Sequence, residues 1–206
     1  MKLILCDPNL HLCNYWKADF KEYADVEIVH GAFERLPEFN CMVSAANSFG
    51  LMDGGVDYAI IRFFGVDLEY RVRRRIIEDY LGEQPVGTSI IVETGHPKHP
   101  FIAHTPTMRI PMTIAHTDNV YLAMWAMLRA VHHHNKISQN PIHIVACPGL
   151  GTGTGKVPFK EASRQMALAY KNYLKPPTYI DWGYASQRQL EVRYGGDDGF
   201  RFPPEE

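Results

Sequence analysis

The 206 residues contain no Cys-x-x-Cys pair, no apolar run of membrane-spanning length and no excess of basic charge. Each absence removes a class of function. The four cysteines, Cys6, Cys13, Cys41 and Cys147, are scattered, and their spacing matches no zinc pattern. A chain of this size buries roughly 70% of the surface its unfolded form exposes, so it needs neither a disulfide nor a metal staple. The cysteines read as reduced thiols filling a core, and no metal or cofactor is expected. The apolar run after Met1 and Lys2 is too short for a signal peptide, and no stretch reaches the about 18 apolar residues of a membrane span. The expectation is a cytoplasmic protein with no membrane partner. Lys and Arg number 21 against 23 Asp and Glu, a formal charge of −2. Such a balance lacks the electrostatic footprint of a dedicated nucleic-acid binder.

What is present is an alternation of short apolar runs and amphipathic segments. Leu3 to Cys6, Val26 to Val29, Cys41 to Val43, Ser89 to Val92, Phe101 to Ala103 and Ile142 to Val145 read as strands. Leu12, Trp16 and Phe20 recur at every fourth position, which predicts a helix from Asn9 to Tyr23. Further helices are predicted from Val56 to Phe64, through Leu68, Val72, Ile76 and Tyr80 to a stop at Gly82, and from Phe159 to Leu174. Thr117 or Asp118 caps a long helix ending at His132-His133-His134-Asn135. The alternation implies an α/β sheet with helices on both faces, and no internal repeat interrupts it.

Two clusters invite functional readings that weaken on inspection. Arg71, Arg73, Arg74 and Arg75 could bind phosphate, but on an acidic chain they read first as a solvated helix face. Three adjacent histidines point about 100° apart on a helix and cannot converge on one ion. They suit a helix C-terminus instead. The texture changes at Pro176-Pro177, which divides residues 1–175 from an extension of 176–206 rich in Tyr, Gly, Asp and Pro. Its Tyr179, Ile180, Trp182 and Tyr184 are unusual for a disordered tail, so part of it should pack on the domain or on a partner.

The chemistry lies in two loops, each following a strand and opening a helix, where α/β sheets bind ligands. The first is Ser44-Ala45-Ala46-Asn47 through Gly54-Gly55-Val56-Asp57; the second is Cys147 through Pro158, with glycines at 149, 151, 153 and 155. Small residues let the backbone approach a ligand, and successive amides near a helix N-terminus form a nest for phosphate oxygens. A P-loop is excluded because Leu150 stands where its first Gly is needed and Val157 where Ser or Thr is needed. The dinucleotide fingerprint fails at Thr154 and Lys156.

The two loops together resemble the macrodomain, the ADP-ribose-binding module, across about Val26 to Leu174. Ser44 to Asn47 with Gly54 to Asp57 is similar to the family's first binding segment. Pro148 to Pro158, with Thr152-Gly153 in place, is similar to its diphosphate loop, and Thr105 to Pro111 matches a strand end approaching the site. The resemblance implies a three-layer α/β/α fold around a central mixed sheet, and a cleft binding ADP-ribose or a derivative. It implies ligand contacts from Ala46, Asn47, Gly54, Gly55, Val56, Gly149, Leu150, Gly151, Thr152, Gly153, Thr154 and Gly155. Asn47 would bond the distal ribose, and Asp57 would orient or deprotonate a water attacking the distal ribose carbon. Hydrolysis would release ADP-ribose from a protein, an ester or a terminal phosphate. Read from the residues alone, Asp57 is also a carboxylate at a helix N-terminus and Asn47 a turn residue bonding its own backbone.

Three departures from the family pattern bear on the ligand. Gly31-Ala32-Phe33 lacks the carboxylate that accepts the adenine amine. Gly155 replaces an aromatic that packs on the distal ribose, which leaves room there for a bulkier group, and Phe49 or Met52 would cover the ribose instead. Lys156 would meet added charge or point to solvent. The alternatives to catalysis are a non-catalytic reader of an ADP-ribose-like signal, in which the extension contacts a partner protein, and a poly(ADP-ribose) or RNA binder using Arg71 to Arg75.

Overall fold

The computed structural model describes residues 1–192. In chain order these form β1 (Lys2–Asp7), α1 (Leu10–Asp19), β2 (Val26–His30), a 3₁₀ turn (Phe33–Arg35), β3 (Cys41–Asn47), α2 (Gly55–Phe64) and α3 (Asp67–Tyr80). There follow β4 (Ile90–Glu93), β5 (Phe101–Met108), α4 (Asn119–Ile137), β6 (Ile144–Cys147), α5 (Phe159–Leu174) and α6 (Trp182–Val192). The strands make one mixed sheet in the order β2-β1-β6-β3-β5-β4, parallel throughout except where β4 runs against β5. This is a three-layer α/β/α arrangement.

Side chains alternate across each strand, so the sheet feeds two apolar cores. Leu3, Leu5, Val43 and Val145 pack with Leu12 and Trp16 of α1, Met124 and Leu128 of α4, and Met166 and Tyr170 of α5. Ile4, Met42 and Ile102 point the other way, onto Ile60 of α2 and Val72 and Ile76 of α3. The four cysteines are all free thiols and buried among these residues. Burial pushes the Cys6 thiol up to about 12.

Several boundaries differ from the periodicity, each for a local reason. β3 continues to Asn47 and β5 to Met108, because the ladder between them persists from Cys41 opposite Phe101 to Ala46 opposite Pro106 before it shifts. Ser44 to Asn47 are therefore strand, not loop. β6 begins at Ile144 rather than Ile142: the Asn135 side chain accepts from the Ile142 amide at 2.7 Å and donates to its carbonyl at 2.8 Å, holding that residue out of the ladder. α1 stops at Asp19, where the Phe20 amide caps Trp16. At the end of α3 the left-handed turn is spread over Leu81 and Gly82, with φ of 55° and 100°.

α4 runs past the three histidines to Ile137, and their neighbours diverge. His132 meets the Tyr173 ring, whereas His134 meets the Phe101 ring and bonds the Asn140 carbonyl. The arginines of α3 are answered locally. Arg73, Arg74 and Arg75 pair with Glu69, Glu78 and Asp79 on the same helix, and Arg71 donates to the Glu93 carbonyl. Arg164 of α5 donates to the carbonyls of Glu191 and Val192 of α6, and Val192 is buried against the first core. Tyr179, Ile180 and Trp182 are exposed. Residues 193–206 lie outside the described residues. Among the described residues no helix is long and apolar enough to cross a membrane.

Candidate functional site

Parallel strands that share a direction bring their carboxyl ends to one edge, and a cleft of about 460 Å³ opens there between the two loops. The ends of β1, β3, β5 and β6 form its floor. Ala46, Asn47, Gly54, Gly55, Val56 and Asp57 line one side, and Gly149, Gly151, Thr152, Gly153, Thr154 and Gly155 the other. Leu150 is set apart from this group. Its side chain is fully buried in the first core and does not line the cleft.

The walls supply amides rather than cations. α2 begins at Gly55, with Gly54 as a cap that has no side chain, so the first-turn N–H groups point outward without a capping partner. Among the described residues, the amides of Gly151 through Gly155 donate to no protein acceptor, and the loop is closed instead by Val157 N–H to the Gly151 carbonyl at 3.1 Å. No Lys or Arg of the described residues lines the cleft, whereas Asp7, Glu34, Asp53 and Asp57 do. Asp7 is already engaged, accepting from the Asn9 and Gly149 amides. An anion entering this space would be held by backbone dipoles.

The glycines divide by what lies on their missing side. A Cβ at Gly155 would meet the Gly151 carbonyl oxygen at 2.5 Å, and one at Gly149 would meet Leu12 at 2.5 Å. At Gly54, Gly55 and Gly153 a Cβ would meet nothing within 4 Å. The first group makes the loop close; the second leaves open space at the ligand side. Gly155 therefore does not leave room for a larger ligand, because its vacant direction is filled by the protein's own backbone. Lys156 is exposed and does not line the cleft.

Asp57 sits in the first turn of α2 and is 5% exposed. Its carboxylate accepts a bond from Ser44 Oγ at 2.6 Å. Burial, reinforced by the negative charges of Asp53 and Glu69, outweighs that bond and pushes the carboxyl up to about 7. Asn47 Oδ1 accepts from the amides of Phe49 and Leu51, and Nδ2 donates to the Leu51 carbonyl at 2.7 Å. The side chain thus organises its own loop and keeps one N–H for a ligand.

A match to the Macro domain covers residues 43–166. The chain belongs to the Macro domain family. An uncharacterized protein of Aquifex aeolicus (strain VF5) is 33% identical over 149 residues, 72% of this chain and 82% of that protein. An uncharacterized protein of Aeropyrum pernix is 31% identical over 128 residues, 62% of this chain and 61% of that protein. Among solved structures, a mutant of the Oceanobacillus iheyensis macrodomain with ADPR superposes with a TM-score of 0.59 at 22% identity, covering 79% of this chain and 88% of that one.

In this macrodomain Thr107, Met108 and Pro111 line the cleft from the expected strand end at β5, and Phe33 from the segment singled out after β2. Asp7 and Pro8, from the end of β1, and Glu34, from the 3₁₀ turn, line it without belonging to any motif. Leu51, nearly half exposed, is the first-loop apolar residue at the cleft; Met52 is fully buried in the second core and Phe49 lies outside the lining. Ala32 lines the cleft where a carboxylate was missing from the sequence pattern, with Glu34 two residues on.

Proposed function

We propose that this macrodomain binds ADP-ribose or a derivative in the cleft, with the diphosphate between the N-terminus of α2 and the amides of Gly151 to Gly155. The observation that carries this reading is the pair of outward-facing amide sets, on opposite walls of one cleft lined by no basic side chain among the described residues. Val56, Phe33 and Ala32 offer the base an apolar wall, and the spare N–H of Asn47 reaches toward the distal ribose. The loss of the carboxylate at position 32 leaves Glu34 as the nearest acceptor in that turn.

The associated reaction in this reading is hydrolysis of an ADP-ribosyl ester, protein linkage or terminal phosphate. Water oxygen bonds the distal ribose carbon as the bond to the leaving oxygen breaks; Asp57 takes the water's proton and the leaving oxygen gains one. A carboxyl that titrates near 7 is matched to that exchange at neutral pH. Residues 1–175 then form the ligand-binding domain, and 176–206 an extension whose exposed Tyr179, Ile180 and Trp182 face a partner such as an ADP-ribosylated protein. The setting of this reading is cytoplasmic.

Calorimetric titration with ADP-ribose tests the binding, and no heat at millimolar ligand would sink it. Asp57→Ala should abolish turnover while largely sparing binding; unchanged turnover removes Asp57 from the mechanism. A second reading, a non-catalytic reader, is favoured by one observation: the polar groups of Asn47 and Asp57 are largely committed to Leu51, Phe49 and Ser44. Binding without turnover of any ADP-ribosyl substrate would select it. The self-paired arginines of α3 place the poly(ADP-ribose) or RNA reading last.

A further inference from the structure

A second cavity adjoins the cleft, and the contacts proposed so far do not use it. It holds about 380 Å³ between the 3₁₀ turn and α2, and Glu34, Gly55 and Ala59 line both spaces. Gly55, Tyr58, Ala59 and Arg62 fall on successive turns of one face of α2, so the cavity runs along the helix from its N-terminus. Phe63 also lines it, and its ring meets that of Phe33 edge-on at 5.5 Å. Both rings pack in the second core, which holds the turn against the helix and fixes the space between them.

Charge separates the two spaces. The cleft is lined by carboxylates and no base, and Arg62 is the one basic side chain of the described residues that lines either space. Arg73, Arg74 and Arg75 of α3 are answered by acids of their own helix. Arg62 has no ion pair and no side-chain hydrogen bond among the described residues. Its guanidinium carbon lies 6.0 Å from the centre of the half-exposed Tyr58 ring, a contact that steadies the planar group and leaves its N–H donors open. Glu34 faces the same cavity without pairing to it. An open guanidinium fork is the side chain best matched to a phosphate.

We propose that this cavity is a second phosphate site, in which Arg62 holds a phosphomonoester carried on the adenosine ribose of the ligand. The inference rests on the binding reading above, with the diphosphate at the start of α2. There the base lies on Ala32, Phe33 and Val56, whose chain neighbours Glu34 and Gly55 line both spaces. The sugar between base and diphosphate therefore sits where the two spaces meet. Arg62 lies seven positions beyond Gly55, about 10 Å along the helix axis. A helical side chain leans back toward the N-terminus, which brings the guanidinium closer still. One sugar ring spans what remains. In an ADP-ribose oligomer the same hydroxyl carries another sugar, and the next phosphates lie further off. The ligand class is thus an ADP-ribose phosphorylated on its adenosine ribose.

Calorimetric titration of the full chain with ADP-ribose, and separately with ADP-ribose 2′-phosphate, tests it. The added phosphate should tighten binding about five- to tenfold, which is what one partly solvated, charge-assisted pair supplies. The gain should shrink as salt is raised. Arg62→Met, which keeps the apolar stem and removes the charge, should abolish the gain and leave the affinity for ADP-ribose within about twofold. A linear ADP-ribose dimer should gain nothing from Arg62. Equal affinity for the two ligands in the wild type overturns the proposal, as does a gain that survives Arg62→Met. A dimer that loses as much as the phosphate form on that substitution overturns it too. Heat from neither ligand at millimolar concentration would instead defeat the cleft reading, and this one with it.

Discussion

Asp7 Oδ2 accepts the Gly149 amide at 3.3 Å, joining residues 142 positions apart. Its other oxygen accepts from Asn9 at 2.8 Å, so one carboxylate fixes both the start of α1 and the entry to the second loop. Replacing it with Ala should cost about 1–3 kcal/mol of unfolding free energy, since two amides lose their acceptor. Asp7→Asn keeps one acceptor and should cost less. Urea titrations of the two variants measure the order.

The glycines of the second loop should separate into two phenotypes. In Gly155→Ala the new Cβ meets the Gly151 carbonyl, and stability should fall by about 1–3 kcal/mol. In Gly153→Ala nothing lies within 4 Å, and stability should hold to within about 0.5 kcal/mol. Any deficit at position 153 should appear in ADP-ribose affinity. Thermal unfolding and calorimetric binding on the same samples decide between them.

Gln165 of α5 serves the N-terminus of α4, its Oε1 accepting from the Tyr121 amide at 2.9 Å and its Nε2 donating to the Thr117 carbonyl at 3.0 Å. Leucine in its place fits the apolar layer but leaves a buried amide and a carbonyl unpaired. The loss should be about 2–3 kcal/mol, visible as a lower denaturation midpoint with an unchanged slope.

Asp57 should make the protein less stable as pH rises. The fold keeps its carboxyl protonated up to about 7, whereas the unfolded chain releases that proton near 3.8. Across that interval the native state holds more protons, so its contribution falls with rising pH. Asp57→Asn, which retains an acceptor for Ser44, should therefore be more stable than the wild type at pH 8. The gain is a few kcal/mol at most, at ~1.4 kcal/mol for each pH unit separating the two midpoints. It should vanish below pH 4. Paired melts at pH 3.5 and pH 8 give the difference directly.

The α/β layering and both cleft loops were legible because period-2 runs, four-residue spacings and glycine clusters are local signals. What escaped was anything set by the pairing of distant strands. Asp7 reads as a turn residue before Pro8, and becomes a wall of the cleft only because β1 lies beside β6. Leu51 and Met52 are equally apolar neighbours, and the fold decides that the second is buried and the first faces the cleft. Gly155 looked like a vacancy because a sequence records the missing side chain, not the carbonyl of Gly151 pressed against it. His104, fully buried and opposite Ser44 in the ladder, was hidden within a strand whose last five residues carry no apolar alternation.

Asp57 and His104 also oppose each other in how folding responds to acid. Unfolded, residue 104 takes up a proton below 6.5 that the native core refuses until about 3; residue 57 gives one up above 3.8 that the native core keeps until about 7. Between roughly pH 4 and 6.5 the two exchanges cancel, and folding amounts to passing one proton from an imidazole to a carboxyl. Their joint contribution is a plateau over that interval, falling between about pH 4 and 3 through His104 and between about 6.5 and 7 through Asp57. Two buried side chains thus cancel each other's pH dependence across that interval.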